Sequence, residues 1–142
     1  MSCLNSITVP GGVDAVWSRI RDFHELSWAK GVVEKVEKVG ACAGDQVGAR
    51  RVINGLFQET LIALDDRAHG LRYSIDDAPG TPVAKDRVSS YVGEVKLFPI
   101  TATGETFVYW TSSWESGSAE IAPFCNPIYA ALLGALRASF QR

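Results

Sequence analysis

At 142 residues, with 46% hydrophobic and 21% charged side chains, the chain has the size and balance of one globular domain with a sizeable core, spanning residues 1–142. Its formal net charge is -2 and its Lys and Arg residues are interspersed with Asp and Glu, so there is no basic stripe of the kind that draws a protein to nucleic acid. Cys3, Cys42 and Cys125 are odd in number, far apart and without paired metal spacing, which points to reduced thiols in a cytoplasmic protein rather than to a disulfide framework or a metal site.

Met1 to Pro10 lacks the basic-then-apolar pattern of a leader, and no stretch is expected to span a bilayer. Leu4 to Val9, closed by Pro10-Gly11-Gly12, reads as a strand ending in a turn. Val13, Val16, Trp17 and Ile20 then recur at helical spacing, with Asp14 at the positive end of the helix dipole. Phe23 to Trp28 is expected to continue as a second short helix.

The β-branched Val32, Val33, Val36 and Val39 predict a strand, although Glu34 and Lys38 would also pair on a helix. Gly40 to Gly44 is a turn. Val47 to Ile53 and Phe57 to Leu64 flank Asn54-Gly55, a strong hairpin signal. A turn at Asp65-Asp66 and His69-Gly70 leads into a strand from Leu71 to Asp76, and Asp77 to Lys85 is a proline- and glycine-containing loop. Val88 to Ile100 and Thr106 to Trp114 form a second long hairpin around Thr103-Gly104. From Pro123 to Phe140, the residues Phe124, Ile128, Leu132, Ala135, Leu136 and Phe140 share one helical face, and Pro127 is tolerated if the helix begins near Asn126.

The order is therefore strand, two short helices, six strands and one long helix. Six hairpin-like strands make an antiparallel sheet with one face to cover, and a single amphipathic helix remains to cover it. A sheet wrapped around one helix leaves space for a ligand between them.

This order, with Val13-Asp-Ala-Val-Trp17, Ile20, Asp22-Phe23, Trp28, Val47-Gly48-Ala-Arg-Arg51, Glu59 to Asp66, Tyr73-Ser-Ile75, Ser90-Tyr91 and Trp110-Thr-Ser-Ser-Trp114-Glu115, resembles the SRPBCC helix-grip superfamily. That superfamily contains the START lipid-transfer domains, the Bet v 1-like proteins and the bacterial polyketide cyclase/dehydrase-like proteins. The resemblance implies an α+β helix-grip fold: a curved seven-stranded antiparallel sheet around a long C-terminal helix, with two short helices after the first strand. It extends to the abscisic-acid receptors, which bind a ligand, and to lachrymatory-factor synthase, which is an enzyme, so the fold serves both binding and catalysis. The receptors carry a longer gate loop where this chain has only Ile53 to Leu56, so a receptor-style lid is not expected.

Strand alternation together with the resemblance places Arg51 and Glu59 on the inner face, with Leu61 on the same strand as Glu59. A two-residue Asn54-Gly55 turn would instead pair Arg50 with Glu59, because it shifts the register by one. Arg51 is preferred and Arg50 is the alternative; a three-residue loop with a glycine bulge would reconcile the hairpin with Arg51. Tyr73, Tyr91, Trp110 and Ser112 complete the sheet side of the expected wall, with Phe124, Ile128 and Leu132 on the helix side.

The resemblance to lachrymatory-factor synthase implies that Glu59 and Arg51 could be catalytic, with Glu59 moving a proton and Arg51 stabilising a developing oxyanion. The same two residues could instead anchor a ligand, or form a satisfied buried pair with no further role. His24 and His69 read as surface residues, Cys125 as a small buried hydrophobe, and Trp17, Phe23 and Trp28 as core and lip packing. No metal and no cofactor are expected, and there is neither a nucleophile elbow nor a phosphate loop.

Three functions stay open: a carrier or sensor of a small hydrophobic or aromatic molecule of polyketide, lipid or isoprenoid type; a cyclase, dehydratase or isomerase using Glu59 and Arg51; and an interaction module whose pocket is filled by Trp110, Tyr91 and Phe124. A small hydrophobic ligand is the expected partner, and oligomeric state is left open.

Overall fold

A computed structural model describes residues 1–141. The elements are β1 (Ser2–Val9), α1 (Val13–Ile20), β2 (Val36–Val39), β3 (Arg50–Ile53), β4 (Phe57–Asp65), β5 (Gly70–Asp77), β6 (Val88–Ser89), β7 (Val92–Pro99), β8 (Thr106–Ser113), β9 (Ser116–Gly117) and α2 (Ile121–Ser139). Seven strands form one antiparallel sheet in the order β1-β8-β7-β5-β4-β3-β2, with α2 packed on its inner face, and β6 and β9 pair separately. This is the α+β helix-grip architecture, with one short helix after β1 rather than two.

The second short helix does not form. Asp22 Oδ1 accepts the His24 amide and Glu25 Oε1 accepts the Ser27 amide, both at 2.9 Å. Side-chain oxygens thus satisfy amides in turns, a local alternative to the helical ladder. Phe23, Leu26 and Trp28 remain buried as expected of core and lip residues.

The strand read from Val32 to Val39 is shortened to β2 for a related reason. Val32 and Val33 close turns on the Ala29 carbonyl, and the Glu34 and Lys35 amides both donate to Asn54 Oδ1. The long strand read from Val88 to Ile100 is interrupted at Ser90, whose φ of 56° cannot continue a ladder, so β6 leaves the main sheet to pair with β9.

Around Asn54-Gly55 both central residues have positive φ, and the Leu56 amide donates to the Ile53 carbonyl at 3.0 Å, as in a tight hairpin turn. The ladder nevertheless resumes at Ile53↔Phe57, leaving Leu56 as an extra residue. That offset sets Arg51 opposite Glu59 and leaves Arg50 on the outer face. Two further irregularities interrupt the β4–β5 ladder, between Gln58 and Glu59 and between Leu61 and Ala63. They bracket the stretch in which Glu59, Thr60 and Leu61 face Ile75, Ser74 and Tyr73. Bulges of this kind re-aim side chains locally.

α2 begins at Ile121, earlier than the sequence suggests, so Pro127 lies inside the helix. The buried face is Ile121, Cys125, Tyr129, Leu132, Leu133 and Leu136. It is rotated by about one residue from the expected face, so Phe124, Ile128 and Ala135 are only half-buried. By length and mean hydropathy alone (19 residues, 1.2) α2 would be long and apolar enough to cross a membrane, a test that core helices also pass; here it packs on the inner face of the sheet. Asn5 Nδ2 donates to Asn126 Oδ1 at 2.9 Å and Arg137 Nη1 donates to the Thr8 carbonyl at 2.8 Å, tying α2 to β1.

Candidate functional site

Between α2 and the β3–β4–β5–β8 part of the sheet lies a cavity of about 60 Å³. Arg51, Glu59, Tyr73, Trp110, Ile128 and Leu132, all singled out from the sequence, lie on its wall. Leu61, Tyr91 and Ser112 are buried in the core beside it, and half-buried Phe124 lies above it, its ring 6.2 Å from that of Phe57. Trp110 lines this space, whereas Tyr91 and Phe124 are not on its wall.

The wall also includes residues that the sequence reading missed. Val32, Val33, Asn54 and Phe57 form the lip, and Cys125 and Tyr129 come from α2. Tyr129 and Cys125 were legible as an i, i+4 pair in the apolar series 121, 125, 129, 132 and 136, had tyrosine been counted as a core residue. At the lip, Asn54 Nδ2 donates to the Val32 carbonyl at 3.0 Å while Oδ1 takes the Glu34 amide at 2.8 Å. One turn side chain thus clamps the β3–β4 hairpin to the segment before β2.

The charged pair is nearly dry: Arg51 and Glu59 are each 6% exposed. Arg51 Nε and Nη2 reach the same carboxylate oxygen, Glu59 Oε1, at 2.8 and 2.7 Å. Arg51 Nη1 donates to the Phe23 carbonyl at 2.9 Å, and the guanidinium carbon sits 3.7 Å from the centre of the Phe23 ring. The second oxygen, Oε2, has no hydrogen-bond partner among the described residues, and Glu59 faces the cavity. Burial raises the Glu59 carboxyl above its ordinary value, and the adjacent guanidinium offsets this only in part.

Across from the pair runs a chain of hydroxyls. Trp110 Nε1 donates to Tyr73 Oη at 2.8 Å, and Tyr73 Oη donates to Tyr129 Oη at 3.2 Å. Tyr129 Oη is hydrogen-bonded to Tyr91 Oη, which donates to Cys125 Sγ at 3.4 Å. Burial pushes all three phenols up, and pushes the Cys125 thiol up to about 11, so these groups are neutral donors and acceptors rather than anions. A second cavity, of about 20 Å³, lies behind Arg51, Tyr73 and Trp110 among Phe23, Leu26 and Trp28. These three side chains are a septum shared by the two spaces.

Residues 4–141 match the family described as polyketide cyclase / dehydrase and lipid transport. A solved protein from Nitrosospira multiformis is 43% identical, with a TM-score of 0.95 over 99% of this chain and 97% of that one. A protein from Bacillus thuringiensis (22% identity, TM-score 0.79, 100% of both chains) and the protein XoxI from Bacillus cereus (22%, 0.78, 98% and 94%) share the fold. No curated protein matches the chain. The family supports a fold that binds hydrophobic ligands, consistent with the apolar wall. The chain belongs to the polyketide cyclase / dehydrase and lipid transport family.

Proposed function

We propose that the protein binds a small hydrophobic or aromatic molecule in the cavity beneath α2, as a carrier or sensor. The observation that carries this reading is the wall itself: aliphatic and aromatic groups surround one carboxylate with an uncommitted oxygen. A few placed polar groups in an apolar enclosure suit a ligand that is held by burial and oriented by one contact. The cavity, about 60 Å³, is well under the roughly 300–1,000 Å³ of drug-sized pockets, so a larger guest needs its wall to move. Native mass spectrometry of freshly purified protein, followed by titration with a broad apolar panel read through Trp110 fluorescence, tests the proposal. Bound guests or saturable quenching are expected. A flat response to every compound in the panel would overturn it.

A second reading is catalysis of the cyclase, dehydratase or isomerase type. It is favoured by the raised Glu59 carboxyl with Oε2 free, a carboxyl suited to accepting a proton from a bound carbon or oxygen acid. Arg51 would then fix the Glu59 geometry through Oε1. Loss of turnover of a polyketide substrate in Glu59→Gln is the expected result, and turnover that survives that change removes the acid/base role.

A further inference from the structure

We infer that Trp110 determines the length of the guest: braced by Tyr73, its indole ends the cavity and restricts it to compact molecules, a short chain or a single ring, excluding long-chain lipids. This rests on the binding reading above and deepens it. The inference comes from where the indole stands between two unfilled spaces and from what holds it there.

Among the described residues, Arg51, Tyr73 and Trp110 alone line both cavities, so these three side chains separate about 60 Å³ from about 20 Å³ of unfilled space. Core side chains normally pack closely on all sides, with few voids. Trp110 is 5% exposed, yet unfilled space reaches it from two directions. Beyond it lie Ile20, Phe23, Leu26, Val95, Val108 and Leu136, so whatever part of a guest passed the indole would have to be hydrocarbon. A side chain so placed is a partition, and its bulk decides how far a guest can extend.

Each member of the partition is held in place. Trp110 Nε1 donates to Tyr73 Oη at 2.8 Å, and the indole stacks on the Tyr129 ring with centroids 5.4 Å apart. The Tyr73 ring fills the space that a side chain at position 93 would take. The Arg51 head is hydrogen-bonded to Glu59 and to the Phe23 carbonyl. Swinging the indole aside would strand a buried N–H without its acceptor, which is costly in a dry site. The space opened in return, about 20 Å³, has room for about one water-sized group. The loss outweighs the gain, so a guest stops at Trp110.

The test follows a series of straight-chain primary alcohols, butanol to octanol, by amide NMR titration of the unaltered protein and of Trp110→Leu. Each methylene that finds apolar space is expected to tighten binding about fourfold, and the gain is expected to stop at the member whose tail meets Trp110. In Trp110→Leu the two spaces join and the break is expected to move to a longer alcohol. A purely structural role for the indole would change all the affinities together without moving the break. A break at the same alcohol in both proteins overturns the inference and leaves the binding reading intact. So does a series that tightens without a break through octanol in the unaltered protein. Failure of every alcohol to bind the unaltered protein overturns both. If Trp110→Leu does not fold, Trp110→Phe, a smaller truncation, supplies the comparison with the same expected shift.

Discussion

Tyr73 and Gly93 face one another across the β5–β7 ladder, and a Cβ at Gly93 would lie 2.2 Å from Tyr73 Cζ and 2.4 Å from its hydroxyl. The tyrosine ring occupies the space that any side chain on that strand position would take. Its hydroxyl can thereby reach both Trp110 and Tyr129. A glycine in a strand often marks such a close approach.

Gly93→Ala is therefore expected to push the Tyr73 ring off the sheet and break the hydroxyl chain. Overpacking of this kind costs about 1–3 kcal/mol. A lowered urea midpoint together with a changed near-ultraviolet dichroism of Trp110 is the expected signature; an unaltered aromatic spectrum would show that the ring has room to spare.

Arg51 and Glu59 should behave as a unit. Glu59→Leu leaves a guanidinium buried beside the Phe23 ring and is expected to destabilise by roughly 3–5 kcal/mol, whereas Glu59→Leu combined with Arg51→Met recovers most of that loss. Chemical denaturation of the two single variants and the double variant checks this. Additive losses would mean that the pair is not coupled.

The raised Glu59 carboxyl has a consequence for stability against pH. Above its ordinary value of 4.5 the unfolded chain has released the proton that the folded chain still holds, so unfolding free energy falls as pH rises, until the folded carboxyl itself titrates. Asp66 acts in the opposite sense at lower pH, since its hydrogen bonds from Arg21 and Trp17 hold it below its ordinary 3.8. Glu59→Gln is expected to remove the downward slope above pH 4.5 and leave the acid limb unchanged. Thermal melts from pH 3 to pH 8, with and without the substitution, would show it.

Asn54 ties the β3–β4 hairpin to the segment before β2 through its side chain while sitting at a φ of 54°. Asn54→Gly keeps that backbone accessible and removes the clamp, so the Glu34 and Lys35 amides are expected to exchange hydrogen faster. Unchanged exchange at those two amides would mean that the clamp is not what holds that segment.

Pro127 interrupts the α2 ladder on its exposed face, where the amide of another residue would bond to the Pro123 carbonyl. An interior helical proline costs on the order of 3 kcal/mol, and part of that is offset by the stiffness it lends the unfolded chain. Pro127→Ala is expected to raise the unfolding free energy by about 1–3 kcal/mol in equilibrium denaturation.

Much of this architecture was already present in local patterns. Alternation from Phe57 to Leu64 and from Thr106 to Trp114, the Asn54-Gly55 turn and the apolar face ending at Leu136 together determine an antiparallel sheet that needs one helix. Arg51 and Glu59 emerged as a pair because alternation and the family resemblance put both on one face. Other features depended on the folded chain. One extra residue, Leu56, decides between Arg50 and Arg51, since a slip of one inverts every side chain on the strand. A rotation of α2 by about one residue brings Cys125 and Tyr129 rather than Phe124 and Ile128 to the buried face, and side chains of Asp22, Glu25 and Asn54 convert an expected helix and half a strand into turns. Periodicity in sequence reports which face is apolar. The hydroxyl chain beside the cavity arises between residues as far apart as Tyr73 and Tyr129, so only tertiary packing could decide it.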